Sequence, residues 1–227
     1  VDLSESSFKH PNFFEIQCDI TNKELLNDSI KKKVLKYLNG RKVDVLINMA
    51  SLVVQLGDKV DKSIYPSFED QSQDEWMSFY KVDICGTLNM VQSILPIFNP
   101  EDASIINVSS TYGLVSPKPS IYDCFKSETN NIEKPIGYSA SKSALLNVTR
   151  HLAVHLANKN IRVNVLLPGG VNNNPNSEFL KSYSEHTALN RMANPSEYIG
   201  PIIFLSTKAS SYMTGSSLIV DGGWTAL

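Results

Sequence analysis

Apolar residues along the chain fall into two patterns, short continuous runs and longer stretches at helical spacing. Phe13–Cys18 (FFEIQC) is an apolar run suited to a strand, ended by Asp19. From Asn22 to Leu38, apolar residues recur at Leu25, Leu26, Ile30, Val34, Leu35 and Leu38, which predicts a helix. Thr21 with Glu24 three residues on reads as a capping box, and Gly40 as a stop. Val43–Ala50 (VDVLINMA) reads as a buried strand, and a polar stretch, Ser51–Asp74, follows. Trp76–Phe98 predicts one long helix or two in succession, and Ala103–Ser109 (ASIINVS) another strand. Tyr138–Asn158 is a strongly periodic helix, Ile161–Leu167 a strand closed by Pro168-Gly169-Gly170. Pro195–Ser206 reads as a helix and Ser217–Val220 as a last strand before Asp221-Gly222-Gly223.

Continuous apolar strands alternating with helices predict an α/β fold: a parallel sheet covered on both faces. No fixed-period repeat and no linker-like stretch divides the 227 residues, so the expectation is one domain, 1–227. A formal net charge of −2 disfavours a basic nucleic-acid binder and an acidic disordered tail. No apolar run reaches the roughly 18 residues of a membrane helix, and none resembles a signal peptide. Three widely spaced cysteines, Cys18, Cys85 and Cys124, read as reduced thiols of a cytoplasmic protein rather than a disulfide frame or zinc site. His151 and His155 stand four apart on a helix, but no glutamate lies between them and no third ligand is evident, so no metal is expected. The chain opens on Val1 rather than Met and is soon in a strand-like run, which reads as a start inside a domain.

The sharpest chemical feature is Tyr138-Ser-Ala-Ser-Lys142. Residues four apart share one helical face, about 5–6 Å apart at Cβ. The spacing therefore sets a phenol beside an ammonium. A nearby positive charge favours phenolate and lowers the phenol's pKa from near 10, so that it can exchange a proton with an alcohol or carbonyl oxygen. Ser110 follows an apolar strand. In open parallel sheets, ligands bind beyond the carboxyl ends of the strands. Alone, the Tyr-Lys pair is as well read as an exposed helical pair. Its neighbours change the weight: a strand ending in Ser-Ser before it, a strand ending in Pro-Gly-Gly after it, and the closing TGSSLIVDGG.

Taken together these pieces resemble the short-chain dehydrogenase/reductase family, single-domain Rossmann-like oxidoreductases with a doubly wound parallel sheet. Cys18-Asp19-Ile20-Thr21 is similar to the family's adenine-contacting step, and Asn48-Met49-Ala50-Ser51 to its Asn-Asn-Ala-Gly turn. Asn107–Gly113 resembles the catalytic-serine segment, with Gly113 pointing to Ser110 rather than Ser109. Tyr138–Lys142 resembles the active-site helix, Ile161–Val171 the strand and loop over the nicotinamide, and Met213–Gly223 the last strand. The resemblance implies Tyr138 as general acid/base, Lys142 as the residue that lowers its pKa and bonds the nicotinamide ribose, and Ser110 as the group that orients the substrate oxygen. It implies that Asp19 and Ile20 hold the adenine, that Asn48 and Ala50 line the adenosine ribose, and that Pro168, Gly169 and Val171 meet the nicotinamide. The cofactor implied is NAD or NADP, and the enzyme is expected to form a homodimer or homotetramer.

The chain departs from that pattern in four places. All 11 glycines lie at or after Gly40, so the glycine-rich phosphate loop is absent; the expectation is that the first β-α-β segment lies upstream of Val1. Asp2 then reads either as the acidic residue that bonds the adenosine ribose and favours NAD, or as a plain solvated residue. Asp83 stands where the family's relay asparagine is expected, and either shares in proton relay or substitutes structurally. Ser110 and Tyr138 are 28 positions apart, about twice the family's usual separation. The extra segment, about 114–137, carries Tyr122, Asp123, Phe125, Lys126, Glu128, Asn130, Asn131, Glu133 and Lys134, and reads either as a substrate lid or as a tolerated insertion. Last, Ser51 replaces the turn's glycine, and Asn172-Asn-Asn-Pro175 lacks the usual threonine. The insertion and the closing Asp-Gly-Gly-Trp224 resemble the subgroup associated with flagellin modification and bacterial sugar biosynthesis.

The expected activity is NAD(P)-dependent interconversion of an alcohol and a carbonyl, on a small polar, sugar-like or nucleotide-sugar substrate, without nucleic-acid or membrane partners. Two alternatives stay open: a nicotinamide-dependent sugar epimerase or dehydratase, and a non-catalytic binding protein of the same fold.

Overall fold

The computed structural model describes residues 1–52, 66–125, 133–173 and 175–227. The predicted helix after Asn22 forms in three parts: α1 (Lys23–Ser29), a π-helical turn (Ile30–Val34) and α2 (Leu35–Leu38). Its N-cap is Asn22, which accepts from Leu25 N, and not Thr21. Thr21 N is already taken by the Asp19 carboxylate at 2.8 Å. Asn39 and Gly40, both at positive φ, end the helix as expected of that pair. The predicted strand Phe13–Cys18 shrinks to a single parallel bridge between Asp2 and Gln17, with Phe13 and Phe14 exposed.

Four parallel strands make the sheet, in the order β1 (Val45–Asn48), β2 (Ala103–Val108), β3 (Ile161–Pro168) and β4 (Ser217–Val220). Register pairs Ile47 with Ile106, Asn107 with Val165 and Leu166 with Leu218. Alternation along β2 sends successive side chains to opposite faces. Ile105 joins Leu46, Val163, Val91, Ile94, Leu152 and Leu156 in one core, whereas Ile106 joins Leu166, Tyr198 and Leu205 in another. Each fully buried Ile contributes on the order of 1.5–3 kcal/mol over an exposed one. β1 lies at one edge of the sheet, and Ile47 stays 41% exposed, although the run reads as a buried strand.

The helices that cover these faces are α3 (Gln73–Tyr80), α4 (Thr87–Ile94), α5 (Ile136–Leu156), α6 (Ser177–Ser184) and α7 (Ile199–Ser206). α3 begins with a capping box from Ser72 and Glu75. A π-helical stretch, Lys81–Gly86, links α3 to α4. α5 carries the predicted periodicity, with Leu145, Leu152, Ala153 and Leu156 buried beneath β3. Asn164 is a fully buried polar residue inside β3. It is satisfied by donating to Met213 O at 2.8 Å and accepting from Ser216 N at 3.0 Å, which ties the approach to β4. No helix among the described residues is long and apolar enough to cross a membrane.

Candidate active site

The site forms where β2 meets α5. Past Val108 the chain gives two serines with different tasks. Ser109 Oγ donates to the Lys142 carbonyl at 2.7 Å, binding the strand end to the helix. A Cβ at Gly113 would stand 2.7 Å from that Oγ and 2.8 Å from the Lys142 carbonyl oxygen, so only glycine lets the turn approach so closely. Ser110, 8% exposed, caps the Thr111–Gly113 turn by accepting from Tyr112 N at 3.2 Å. Its side chain also faces the Tyr138 phenol and acts to lower it.

Tyr138 and Lys142 lie on the buried side of α5, at 8% and 3% exposure. Phe79 meets the Tyr138 ring edge-on at 6.1 Å, and the close α3–α5 approach depends on Gly137, where a Cβ would lie 2.8 Å from Trp76 Cα. Asp83 is fully buried in the π-helical stretch. Its Oδ2 accepts from Ser141 Oγ at 2.6 Å, and its Oδ1 lies 3.6 Å from Lys142 Nζ. Lys142 Nζ also donates to Val108 O at 3.2 Å. Serine, phenol, ammonium and carboxylate thus gather at the carboxyl end of β2. π-helical turns occur often at functional sites, and this one aims a carboxylate at the lysine.

The electrostatics differ from expectation in one respect. Burial pushes the Tyr138 phenol above its ordinary value; Ser110 opposes this, and the Asp83 charge adds to it. Lys142 stands 5.7 Å from the ring centroid and is engaged with Asp83, which accounts for the difference. Burial lowers the Lys142 ammonium, and Asp83 opposes that shift.

The expected cofactor-side residues follow the carboxyl ends of other strands. Asn48 ends β1 and donates to Asn107 Oδ1 at 2.9 Å; Asn107 in turn donates to Thr149 on α5 at 2.9 Å. Ala50 lies exposed just beyond. Ile20 packs on Gly86, where a Cβ would sit 2.6 Å from Ile20 Cδ1, and Asn89 holds the Ile20 carbonyl at 3.0 Å. Ile20 is therefore seated against the π-helical stretch that carries Asp83, with Asp19 beside it in sequence. Pro168 ends β3. Gly169 N donates to Val220 O at 2.9 Å, while Val171 forms a parallel bridge with Ala193. Asp2 is exposed, and its carboxylate accepts from Ser4 N and Oγ at 3.0 Å, which holds it below the usual carboxylate range.

Several site residues escaped the sequence reading. Helix α6 is one; its signal was Asn176, which caps it by accepting from Glu178 N and Phe179 N. Tyr183 on α6 accepts from Gly170 N at 2.6 Å and stacks on Trp224 at 4.4 Å. With Tyr112, Tyr122 and Phe179 they form a buried aromatic cluster around Tyr138. The described part of the insertion is built into this cluster. Pro119–Phe125 is a short 3-10 helix whose Tyr122 and Phe125 each lie 5.7 Å from the Phe179 ring. The remaining lid candidates Lys126, Glu128, Asn130 and Asn131 lie outside the described residues, as does Asn174. A cavity of about 470 Å³ lies on the α5 face bearing Ser139, Ala140 and Ser143, and is walled by Tyr112, Leu114, Tyr122 and Lys134.

Residues 3–225 match the family model described as enoyl-(acyl carrier protein) reductase. Among similar proteins, the post-translational flagellin modification protein A of Campylobacter coli is 30% identical over 97% of this chain and 80% of its own length. The 3-oxoacyl-[acyl-carrier-protein] reductase FabG of Thermotoga maritima is 30% identical over 90% of this chain and 74% of its own. A short-chain dehydrogenase from Leptospira borgpetersenii, solved with bound NAD+, superposes with a TM-score of 0.83 at 30% identity, covering 99% of this chain and 81% of that one. Sequence and architecture agree: the chain belongs to the short-chain dehydrogenase/reductase family, a family of NAD(P)-dependent oxidoreductases.

Proposed function

We propose that this protein interconverts an alcohol and a carbonyl on a polar, sugar-like substrate, with Tyr138 as the general acid/base. The observation that carries the reading is the convergence of Ser110, Tyr138, Lys142 and Asp83 at the carboxyl end of a central parallel strand. Ser110 orients the substrate oxygen. Tyr138 exchanges the proton with that oxygen; a phenol kept protonated by burial is ready to donate it to a carbonyl. Lys142 holds a ribose hydroxyl and is itself positioned by Asp83 and Val108 O.

The residues present fit the nicotinamide end of the cofactor. Lys142 brings a buried ammonium, and the Gly169-Gly170 turn, packed too closely on Asp221 and Tyr183 to admit a side chain, follows the carboxyl end of β3. When bound, the nicotinamide supplies or accepts the hydride. Asp19, Ile20, Asn48 and Ala50 are assigned to the adenosine end, and Asp2 to a ribose hydroxyl, which favours NAD over NADP. The polar substrate is supported by the likeness to the flagellin modification protein and by Gln71, Glu133, Lys134, Ser139 and Ser143 in the neighbouring cavity. A homo-oligomer belongs to the same reading, since α5 presents Val154 to solvent at 83% exposure.

The test follows absorbance at the nicotinamide band, with NADH and NADPH against sugar-derived and apolar ketones. Net oxidation with polyhydroxylated substrates is expected. Activity confined to apolar ketones refutes the substrate class, and turnover without net absorbance change selects the epimerase or dehydratase alternative. Tyr138→Phe is expected to abolish turnover while cofactor binding survives; undiminished turnover refutes the acid/base role.

A further inference from the structure

We propose that Arg191 and Glu197 are positioning residues of the cofactor site, their ion pair holding Ala193 against the loop 170–172. Val171 matters here because of the reading that sets it against the nicotinamide, on which the proposal rests. Ala193 meets the loop on both sides of Val171. Ala193 N donates to Gly170 O at 2.9 Å, and Asn172 N donates to Ala193 O at 2.8 Å. Val171 and Ala193 thereby form an isolated parallel bridge outside the four-stranded sheet. Two such bonds between surface segments open readily unless the flanking residues are held.

The pair grips the residue on each side of Ala193. Arg191 Nη1 donates to Glu197 Oε2 at 2.6 Å and Arg191 Nη2 to Glu197 Oε1 at 2.7 Å, two parallel bonds that fit a planar guanidinium to a carboxylate. Nη1 also donates to Met192 O at 3.2 Å, and Asn194 N donates to Glu197 Oε2 at 2.8 Å. The ends of the grip are fixed in turn. Arg191 N donates to Thr187 Oγ1 at 3.1 Å, and Glu197 lies in the 3-10 turn Pro195–Tyr198 that leads into α7. Met192 is buried in the aromatic cluster, while Ala193 packs against the core of Ile106, Leu166, Tyr198 and Leu205.

Both charged side chains are partly exposed, at 48% and 39%. An exposed ion pair usually contributes little, because water screens it and two long side chains must be held still. This pair differs in its forked geometry and in its bonds to backbone at Met192 and Asn194. The guanidinium, and after it the Asn194 N–H, hold the Glu197 carboxyl down at about 2, so the pair stays charged at every pH near neutrality. On the loop's other side, Gly170 N donates to Tyr183 Oη at 2.6 Å, and Tyr198 Oη donates to Gly169 O at 3.2 Å. The loop is thus set between α6 and the segment that the ion pair folds.

The experiment reads amide hydrogen exchange of the cofactor-free protein residue by residue, by NMR. In Arg191→Gln the Ala193 and Asn172 amides are expected to exchange about fivefold faster, the upper end for an exposed pair of good geometry. The Gly169 amide, held by Val220 O, is expected to keep its parent rate. Glu197→Gln is expected to match Arg191→Gln, and the double variant to add nothing to either. Arg191→Lys keeps the charge but loses the fork, and is expected to fall between parent and Arg191→Gln. The same proteins are titrated with NADH by fluorescence and with ADP-ribose, which lacks the nicotinamide ring, by calorimetry. NADH is expected to bind about fivefold more weakly to the neutral variants, and ADP-ribose as in the parent. Unmoved amides in the folded variants overturn the proposal, as does faster exchange beside an unchanged NADH affinity. An equal loss for both ligands overturns it too, since a merely structural staple would give that result. A parent that binds no NADH, with amides that move as expected, upholds the positioning of the loop and sinks the proposed function.

Discussion

Asp83→Asn isolates the charge at the centre of the site. Asparagine keeps the shape of the side chain and can still accept from Ser141 Oγ, so the packing is unchanged and only the negative charge is removed. At 3.6 Å, with an effective dielectric constant near 20, the attraction lost to Lys142 is about 5 kcal/mol. The protein has one way to limit that loss, which is to fold with Lys142 neutral. Folding a neutral lysine costs about 1.4 kcal/mol for each pH unit below about 10.4, hence about 5 kcal/mol at pH 7 and about 2 kcal/mol at pH 9. The destabilisation at pH 7 is accordingly expected at about 3–5 kcal/mol, in keeping with other buried pairs broken on one side. The sign of its pH dependence follows from burial, which lowers Lys142 in the folded state. Between its folded and unfolded pKa values the unfolded chain binds the extra proton, so stability rises with pH. Removing Asp83 deepens the lowering and widens that window. The variant should therefore recover part of its deficit between pH 7 and pH 9. Urea denaturation of parent and variant at both pH values measures it. A deficit below about 0.5 kcal/mol at pH 7, or one that does not shrink toward pH 9, refutes the buried ion pair as the organiser of Lys142.

Three further outcomes are expected. On the proposed function, in which its hydroxyl serves Tyr138 and the substrate oxygen, Ser110→Ala should lower kcat by about 10²-fold or more with little change in thermal stability; a parental kcat would remove it from the site. Gly170→Ala would place a Cβ 2.6 Å from the Tyr183 ring, and should destabilise the protein by about 1–3 kcal/mol in chemical denaturation, whereas Gly200→Ala in α7, where the Cβ meets open space, should cost nothing and stabilise by up to about 1 kcal/mol. Trp224→Ala empties a fully buried site stacked on Tyr183, and should cost about 3–5 kcal/mol by the same measurement; a loss under about 1 kcal/mol would mean the aromatic cluster does not hold this end of the chain.

The strand-and-helix alternation was legible because continuous apolar runs such as Ala103–Val108 can be satisfied only with both faces covered. Ser217–Val220 forms over the predicted residues, and α5 needed only small boundary changes. Phe13–Cys18 shows the limit: an apolar run becomes a strand only where a neighbouring chain pairs with it, and here a single bridge does. The π-helical turns were not legible, since their side-chain spacing blends into the surrounding helices. Helix α6 was missed because its eight residues are short and mixed in polarity.

By itself the sequence determined the parallel α/β architecture and the family, and it put Ser110, Tyr138 and Lys142 forward together, because strand runs and a four-residue helical spacing are local properties of a chain. What the tertiary structure alone decided was how the charges are shared. Asp83, 59 residues from Lys142 in sequence, lies 3.6 Å from its ammonium, and Lys134 is set over the ring of Tyr138. A group's proton affinity depends on burial and on neighbours brought in by distant segments, and these exist only once the chain has packed.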